Sequence, residues 1–131
     1  MLDAFALELL KGKNFAFLST VNVDGSPHVA PTWVDTDGEY LLINTGLGTV
    51  KQRNVKRDPR VTVAVVEHAN PYNSMVIRGR VVEQVGGATA TDSLDKLAKK
   101  YMGADKFPDR ELASRQVILR IKPLRVFTRK T

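Results

Sequence analysis

The sequence predicts a mainly β domain, a small antiparallel β-barrel of about six strands with short helices plugging its ends. Three observations carry that expectation. Asp24-Gly25 and Asp37-Gly38 punctuate runs of alternating or β-branched residues, the composition of hairpin turns between strands. Residues 60–68, RVTVAVVEH, are rich in valine and read as a buried strand. Two long segments, 75–85 and 117–127, are likewise strand-like. A closed or nearly closed sheet is how a short, strand-rich chain hides its edges.

Taken in order, residues 3–11 place Phe5, Leu9 and Leu10 at helical spacing behind Asp3, a candidate N-cap. Residues 15–23, 28–34 and 40–44 read as strands, and the two Asp-Gly turns between them predict a three-stranded antiparallel meander. Residues 49–58 change to a helical pattern that must end before Pro59, because the residue preceding proline is pushed out of the α region. Strands follow at 60–68 and 75–85, with Gly79 marking a bulge or a close backbone approach. Gly86-Gly87 breaks the second of these. Residues 91–101 form an amphipathic helix through Leu94, Leu97, Ala98 and Tyr101. The tail, 117–127, is a strand with a basic outward face, interrupted or bent at Pro123.

Composition narrows the function. The 131 residues make one domain, 1–131, with 43% hydrophobic and 26% charged residues, ordinary for a globular protein. No apolar run approaches the roughly 20 residues of a membrane span. The first residues carry Asp3 and Glu8 with no small-residue cleavage site, so no secretory signal is expected and a cytoplasmic location is the default. Zero Cys excludes a disulfide framework, a Cys-ligated metal and a thiol nucleophile. The net charge of +6 points to an anionic partner, and the basic residues cluster. Residues 51–60 hold five basic groups against one acid, and residues 110–131 hold seven against one.

The helix at 49–58 carries charges of an unexpected sign. Thr49 is placed to cap it, and the positive end of a helix dipole favours acids in the first turn. Lys51 and Arg53 stand there instead, with Lys56 and Arg57 one turn on. A phosphate would relieve this, accepting bonds from the free N–H groups of the Gly46–Gly48 loop, the Thr45 or Thr49 hydroxyl, and Lys51. The competing reading is a solvated basic helix paired with acids elsewhere in the fold.

The order SxxxxDGSPHVAPTWV, YLLINT, a glycine-bearing loop and KxxNVKRDPRV resembles the pyridoxamine-phosphate-oxidase-like superfamily of split β-barrels. The KxxN(V/L)xRDPR portion is similar to its small deazaflavin-dependent branch, whose members use coenzyme F420. The resemblance covers about residues 10–85 and implies both the split-barrel fold and a cofactor, F420 or alternatively FMN. It puts the phosphate on Lys51, with Asn54 linking helix and loop. The ribityl and phosphate tail falls on Asn44 and Thr45, and the tricyclic ring on the strand edge Ala30, Pro31, Thr32 and Trp33. It also brings Ile77 and Arg78 towards the cofactor, and lets Arg53 and Arg57 reach a phosphate or polyglutamate tail. Relatives are homodimers with sites at the interface, so a homodimer is expected, with the 117–127 strand near the interface. The chain departs from true pyridoxamine phosphate oxidases in its length and in lacking their C-terminal arginine-bearing motif, which argues against vitamin B6 oxidation. The loop between Thr45 and Lys51 is also short, which leaves open which groups bind the phosphate.

The resulting expectation is an oxidoreductase that moves a hydride to or from a small organic substrate. The catalytic residues and the substrate are not legible. His68 and Tyr72 are candidate proton donors, against a reading of both as surface; His28 reads as a solvent-facing strand residue. Trp33 divides between barrel core and a wall of the ring pocket. Two His and no Cys argue against a catalytic zinc site and leave no metal expected, and no GxSxG, GxxxxGK[ST] or complete dinucleotide fingerprint is present. Two other classes stand beside the enzyme: a non-catalytic cofactor carrier, and a basic nucleic-acid-binding barrel, disfavoured by an aromatic content of 7%.

Overall fold

The computed structural model describes residues 1–131. Helix α1 (Ala4–Lys11) starts at Asp3, whose carboxylate accepts the Ala6 N–H at 2.9 Å, as the sequence predicts. Then come β1 (Ala16–Val21), β2 (Pro27–Thr32), the two-residue β3 (Asp35–Thr36), β4 (Leu41–Gly46) and helix α2 (Val50–Arg57). Strands β5 (Arg60–Val66) and β6 (Ser74–Val85) follow, then α3 (Gly87–Met102), α4 (Arg110–Ser114) and β7 (Gln116–Arg129). No helix is long and apolar enough to cross a membrane.

All pairings are antiparallel, and the seven strands form one sheet in the order β2-β1-β5-β6-β7-β4-β3. Its two edges, β2 and β3, are consecutive in the chain and joined only by Trp33 and Val34. So short a join forces the sheet to curl until its edges nearly meet, leaving a barrel with a split. Inward residues of β1, β4, β5, β6 and β7, among them Leu18, Ile43, Val63, Ile77 and Leu119, meet the apolar face of α1 in one core.

Two expectations are corrected here. The meander does not form, because the third strand leaves β2 and pairs with β7, Leu41 opposite Ile121 and Thr45 opposite Val117. The Asp37-Gly38 turn is real but connects β4 to the short β3. The tail is a single strand with its irregularity at Pro123, as expected there: Pro123 faces Gly79 at a shift in the β6–β7 register, where a bulge bends the strand and a missing N–H does no harm. A Cβ on Gly79 would lie 2.8 Å from the Lys122 carbonyl, so Gly79 makes the close approach its position suggests. Finally, the helix expected over 91–101 begins four residues earlier, at Gly87, and a further helix, α4, follows it where none was expected.

The Trp33–Val34 crossing leaves backbone groups without a strand partner, and α3 supplies them. Tyr101 Oη accepts the Val34 N–H at 3.1 Å and donates to the Asn14 carbonyl at 2.6 Å. Lys100 Nζ donates to the carbonyls of Val34, at 2.6 Å, and Leu10, at 2.9 Å. Burial pushes the Tyr101 phenol up to about 12 and pulls the Lys100 ammonium below its ordinary value, against the pull of Asp35. A phenol more readily ionised in the unfolded chain than in the fold stabilises the fold up to pH 10 and loses that contribution between pH 10 and 12. Tyr101→Phe is expected to cost about 1–3 kcal/mol in urea unfolding at neutral pH, since it strands a buried N–H. The wild-type excess over this variant should shrink from pH 10 to 12.

Candidate functional site

A cleft of about 410 Å³ opens where the barrel is split. Pro31, Thr32 and Trp33 come from the β2 edge, Asn44, Thr45 and Gly46 from the end of β4, and Thr49 and Lys51 from the start of α2. Phe15, Leu94, Phe107, Leu112 and Gln116 complete the lining. Edge strand β2 leaves half of its backbone groups unpaired, and Pro31 sits where an edge strand tolerates proline.

The α2 end of the cleft is polar and positive. Thr49 caps the helix, its Oγ1 accepting the Gln52 N–H at 3.3 Å, and lies 2.8 Å from Thr45 Oγ1. The N–H groups of Val50 and Lys51 bond to no protein acceptor, as the first turn of a helix leaves them. Gly48, at φ +81°, turns the loop into the helix. Lys51 is half-buried and forms no ion pair, and burial alone pulls its ammonium below the ordinary value.

The middle is aromatic. Trp33 stacks flat on Tyr101, centroids 5.0 Å and planes 3° apart, and meets Phe107 edge-on at 6.1 Å. It lies outside the barrel core, so of its two readings the structure places it as a cleft wall. Phe107 is held there by Asp95, which accepts its N–H at 3.0 Å and pairs with Arg110 at 2.8 Å. The Arg110 hydrogen bond holds the Asp95 carboxyl below the usual range.

The structure therefore gathers Pro31, Thr32, Trp33, Asn44, Thr45 and Lys51, and separates the others. Ala30 lies on β2 beside the cleft, its side chain turned inwards opposite Leu18. Asn44 is fully committed: its amide donates to the Ala90 carbonyl and accepts from Ser93, tying β4 to α3. Arg53 stands two residues from Lys51, about 200° round the helix, and lines a different hollow of about 560 Å³ with Asn22, Ser26 and Arg57. Arg57 donates to the Val21 carbonyl and Asn54, and Asn54 to Thr20 and Asn22, which pins α2 to the β1–β2 hairpin. The linking role of Asn54 thus has its bonds.

Strand alternation puts Ile77 in the core, at 0% exposure, and turns Arg78 to the outer sheet face, so neither reaches this cleft within one chain. His28 is not solvent-facing. Its side chain is half-buried on the inward face opposite Thr20, with Nδ1 buried and unpaired. His68 and Tyr72 are exposed in or beside the β5–β6 connection, away from the polar end. Sequence reasoning misses Phe15, Leu94, Phe107, Leu112 and Gln116, which reach the cleft from distant segments; the one signal was an aromatic in the polar stretch Lys106 to Arg110.

Residues 2–130 match the pyridoxamine 5'-phosphate oxidase family. The chain belongs to that family. Among solved structures, an F420 reductase is 32% identical, with a TM-score of 0.81 over 92% of this chain and 94% of its own. A conserved hypothetical protein from Mycobacterium tuberculosis is 21% identical (TM-score 0.80, covering 99% and 85%), and HupZ from Group A Streptococcus 17% (0.70, 98% and 94%). These last two share the split-barrel fold. No curated protein matches the chain.

The polar end of the cleft makes a direct prediction for this family member. Lys51→Met should weaken binding of a phosphomonoester such as FMN about 10- to 100-fold, the worth of a charge-assisted hydrogen bond. Its melting temperature should be unchanged or higher, because a half-buried charge without a partner is removed. Bound phosphate favours the protonated amine, so wild-type affinity should fall as pH rises through the lowered Lys51 value. The variant's profile in that range should be flat by fluorescence titration.

Proposed function

We propose that this family member is an oxidoreductase that holds a deazaflavin, coenzyme F420, and moves a hydride to or from a small organic substrate. One observation carries the reading: a half-buried Lys51 without a carboxylate partner stands beside two threonine hydroxyls and the free N–H groups of a helix start. Those donors suit a phosphate, and the family membership and the F420 reductase relative support a redox cofactor on it. FMN carries the same ribityl phosphate and is the alternative ligand.

The tricyclic cofactor supplies the hydride chemistry, and the protein positions it and excludes water. In this reading Lys51, Thr45 and Thr49 hold the phosphate, while the unpaired edge of Pro31 and Thr32 meets polar atoms of the ring. Trp33 and Phe107 offer the aromatic surfaces on which a flat ring packs.

A second copy of the chain would complete the site. The outer sheet face carries Val29, Val76, Leu124 and Phe127, each about 40–60% exposed in the single chain. Such a patch is what a two-fold interface buries, and Arg78 on the same face would then be offered to the partner.

The test is a fluorescence titration of the purified protein with F420 and with FMN at low and moderate salt. Micromolar or tighter F420 binding, exceeding FMN, is the expected result. Preference for FMN would reassign the cofactor. Failure of both, with salt-sensitive binding of single-stranded DNA, would overturn the reading in favour of a nucleic-acid-binding barrel. In sedimentation the wild type should be a dimer and Val76→Asp a monomer; a monomeric wild type would sink the shared site.

A further inference from the structure

Beside the cleft lies a hollow of about 300 Å³, bounded by Phe15, Phe17, Val66, Glu67, His68 and Pro71. Its surface is almost wholly apolar. Of the four other sizeable hollows on the molecule, this one alone shares a residue with the cleft, and that residue is Phe15. The Phe15 ring stacks on Tyr101 at 5.8 Å, and Tyr101 stacks on Trp33 at 5.0 Å, so one aromatic row passes from the hollow to the cleft wall.

The same backbone network anchors both. Asn14 Oδ1 accepts the His68 N–H at 2.8 Å, and the Asn14 carbonyl accepts the Tyr101 hydroxyl at 2.6 Å. The His68 backbone is therefore fixed relative to the wall that carries Trp33, while its side chain stays exposed at the rim.

We propose that this hollow receives the substrate, a small, flat, uncharged organic molecule whose body packs on Phe15, Phe17, Val66 and Pro71 and whose one polar substituent bonds the His68 imidazole. Hydride transfer needs contact between donor and acceptor, so a substrate must bind against the cleft, and this hollow shares the Phe15 wall with it. A volume near 300 Å³ is at the small end of ligand sites and suits one or two fused rings. Apolar walls penalise an ionised ligand, which would lose hydration, and Glu67, the acid among the lining residues, repels an anion further. Naming the occupant a substrate rests on the oxidoreductase reading; its binding and its chemical class do not.

The probe is 2-naphthol, with 2-naphthalenesulfonate as its charged counterpart, titrated into the full-length protein by calorimetry and amide NMR. The expected result is saturable 2-naphthol binding with shifts at Phe15, Phe17 and His68, and sulfonate binding about tenfold weaker or less. Pro71→Glu, an exposed loop substitution that sets a carboxylate in the hollow, should weaken 2-naphthol about tenfold or more, and His68→Phe several-fold. Neither should alter F420 or FMN affinity. Equal or tighter sulfonate binding, no saturable binding, or full affinity in Pro71→Glu would overturn the proposal. So would 2-naphthol binding only below the concentration at which the chain dimerises, since a second copy would then fill the hollow. Naphthol binding without any cofactor binding would sink the oxidoreductase reading and leave the apolar site standing.

Discussion

The architecture turns on the crossing at Trp33 and Val34. Seven strands in one curled sheet leave two edges, and the chain passes from one to the other in two residues. That passage cannot be part of a ladder, so the N–H and carbonyl of Val34 need partners from elsewhere, and a buried group without one costs about 1–3 kcal/mol. Tyr101 and Lys100, adjacent on α3, supply them. The same Tyr101 ring carries Trp33 on its face. Closing the barrel and building the cleft wall are therefore one event, which is why the cleft sits at the split.

What the sequence made legible follows the range of each signal. The Asp-Gly turns, the Asp3 and Thr49 caps and the stop before Pro59 depend on neighbours a few residues away, and all stand in the structure. The partner of β4 does not. An Asp-Gly turn says that the chain reverses there, and nothing local says that residues 41–46 lie beside residues 116–121. Pro123 marks its own irregularity locally, but the residue that accommodates it, Gly79, is more than 40 residues away. In the cleft, Thr45, Thr49 and Lys51 were legible because strand end, loop and helix start are contiguous. Phe107, Leu112 and Gln116 were not, because only the docking of α3 and α4 brings them round.

The charge argument over α2 survives in part. In an eight-residue helix Lys56 and Arg57 fall in the last turn, where the dipole favours them, and Arg57 bonds the β1–β2 hairpin. Arg53 faces away from the cleft. The anomaly thus narrows from a run of four basic residues to Lys51, which is half-buried, unpaired and depressed by burial. The narrowing sharpens the case for a ligand. A solvated basic face would leave its charges in water, whereas this one is withdrawn from water beside hydroxyls and free N–H groups.

Lys51 also links binding to folding. A half-buried ammonium without a counter-ion opposes folding, and the anion proposed for this corner would remove that opposition and, by binding the folded state alone, stabilise it by mass action. Lys100 is also withdrawn from water, but its ammonium is spent on the Leu10 and Val34 carbonyls. Arg60 and Arg110 are paired to Asp58 and Asp95, Arg120 reaches Asp37 and Glu83, and Arg78 and Arg125 lie on the outer sheet face near Phe127. A nucleic-acid track needs a continuous basic stripe with stacking surfaces along it. Here the positive charge divides among ion pairs, backbone carbonyls, an outer face and the recessed Lys51 corner, and that corner is where a single phosphate would meet the donors the protein leaves unsatisfied.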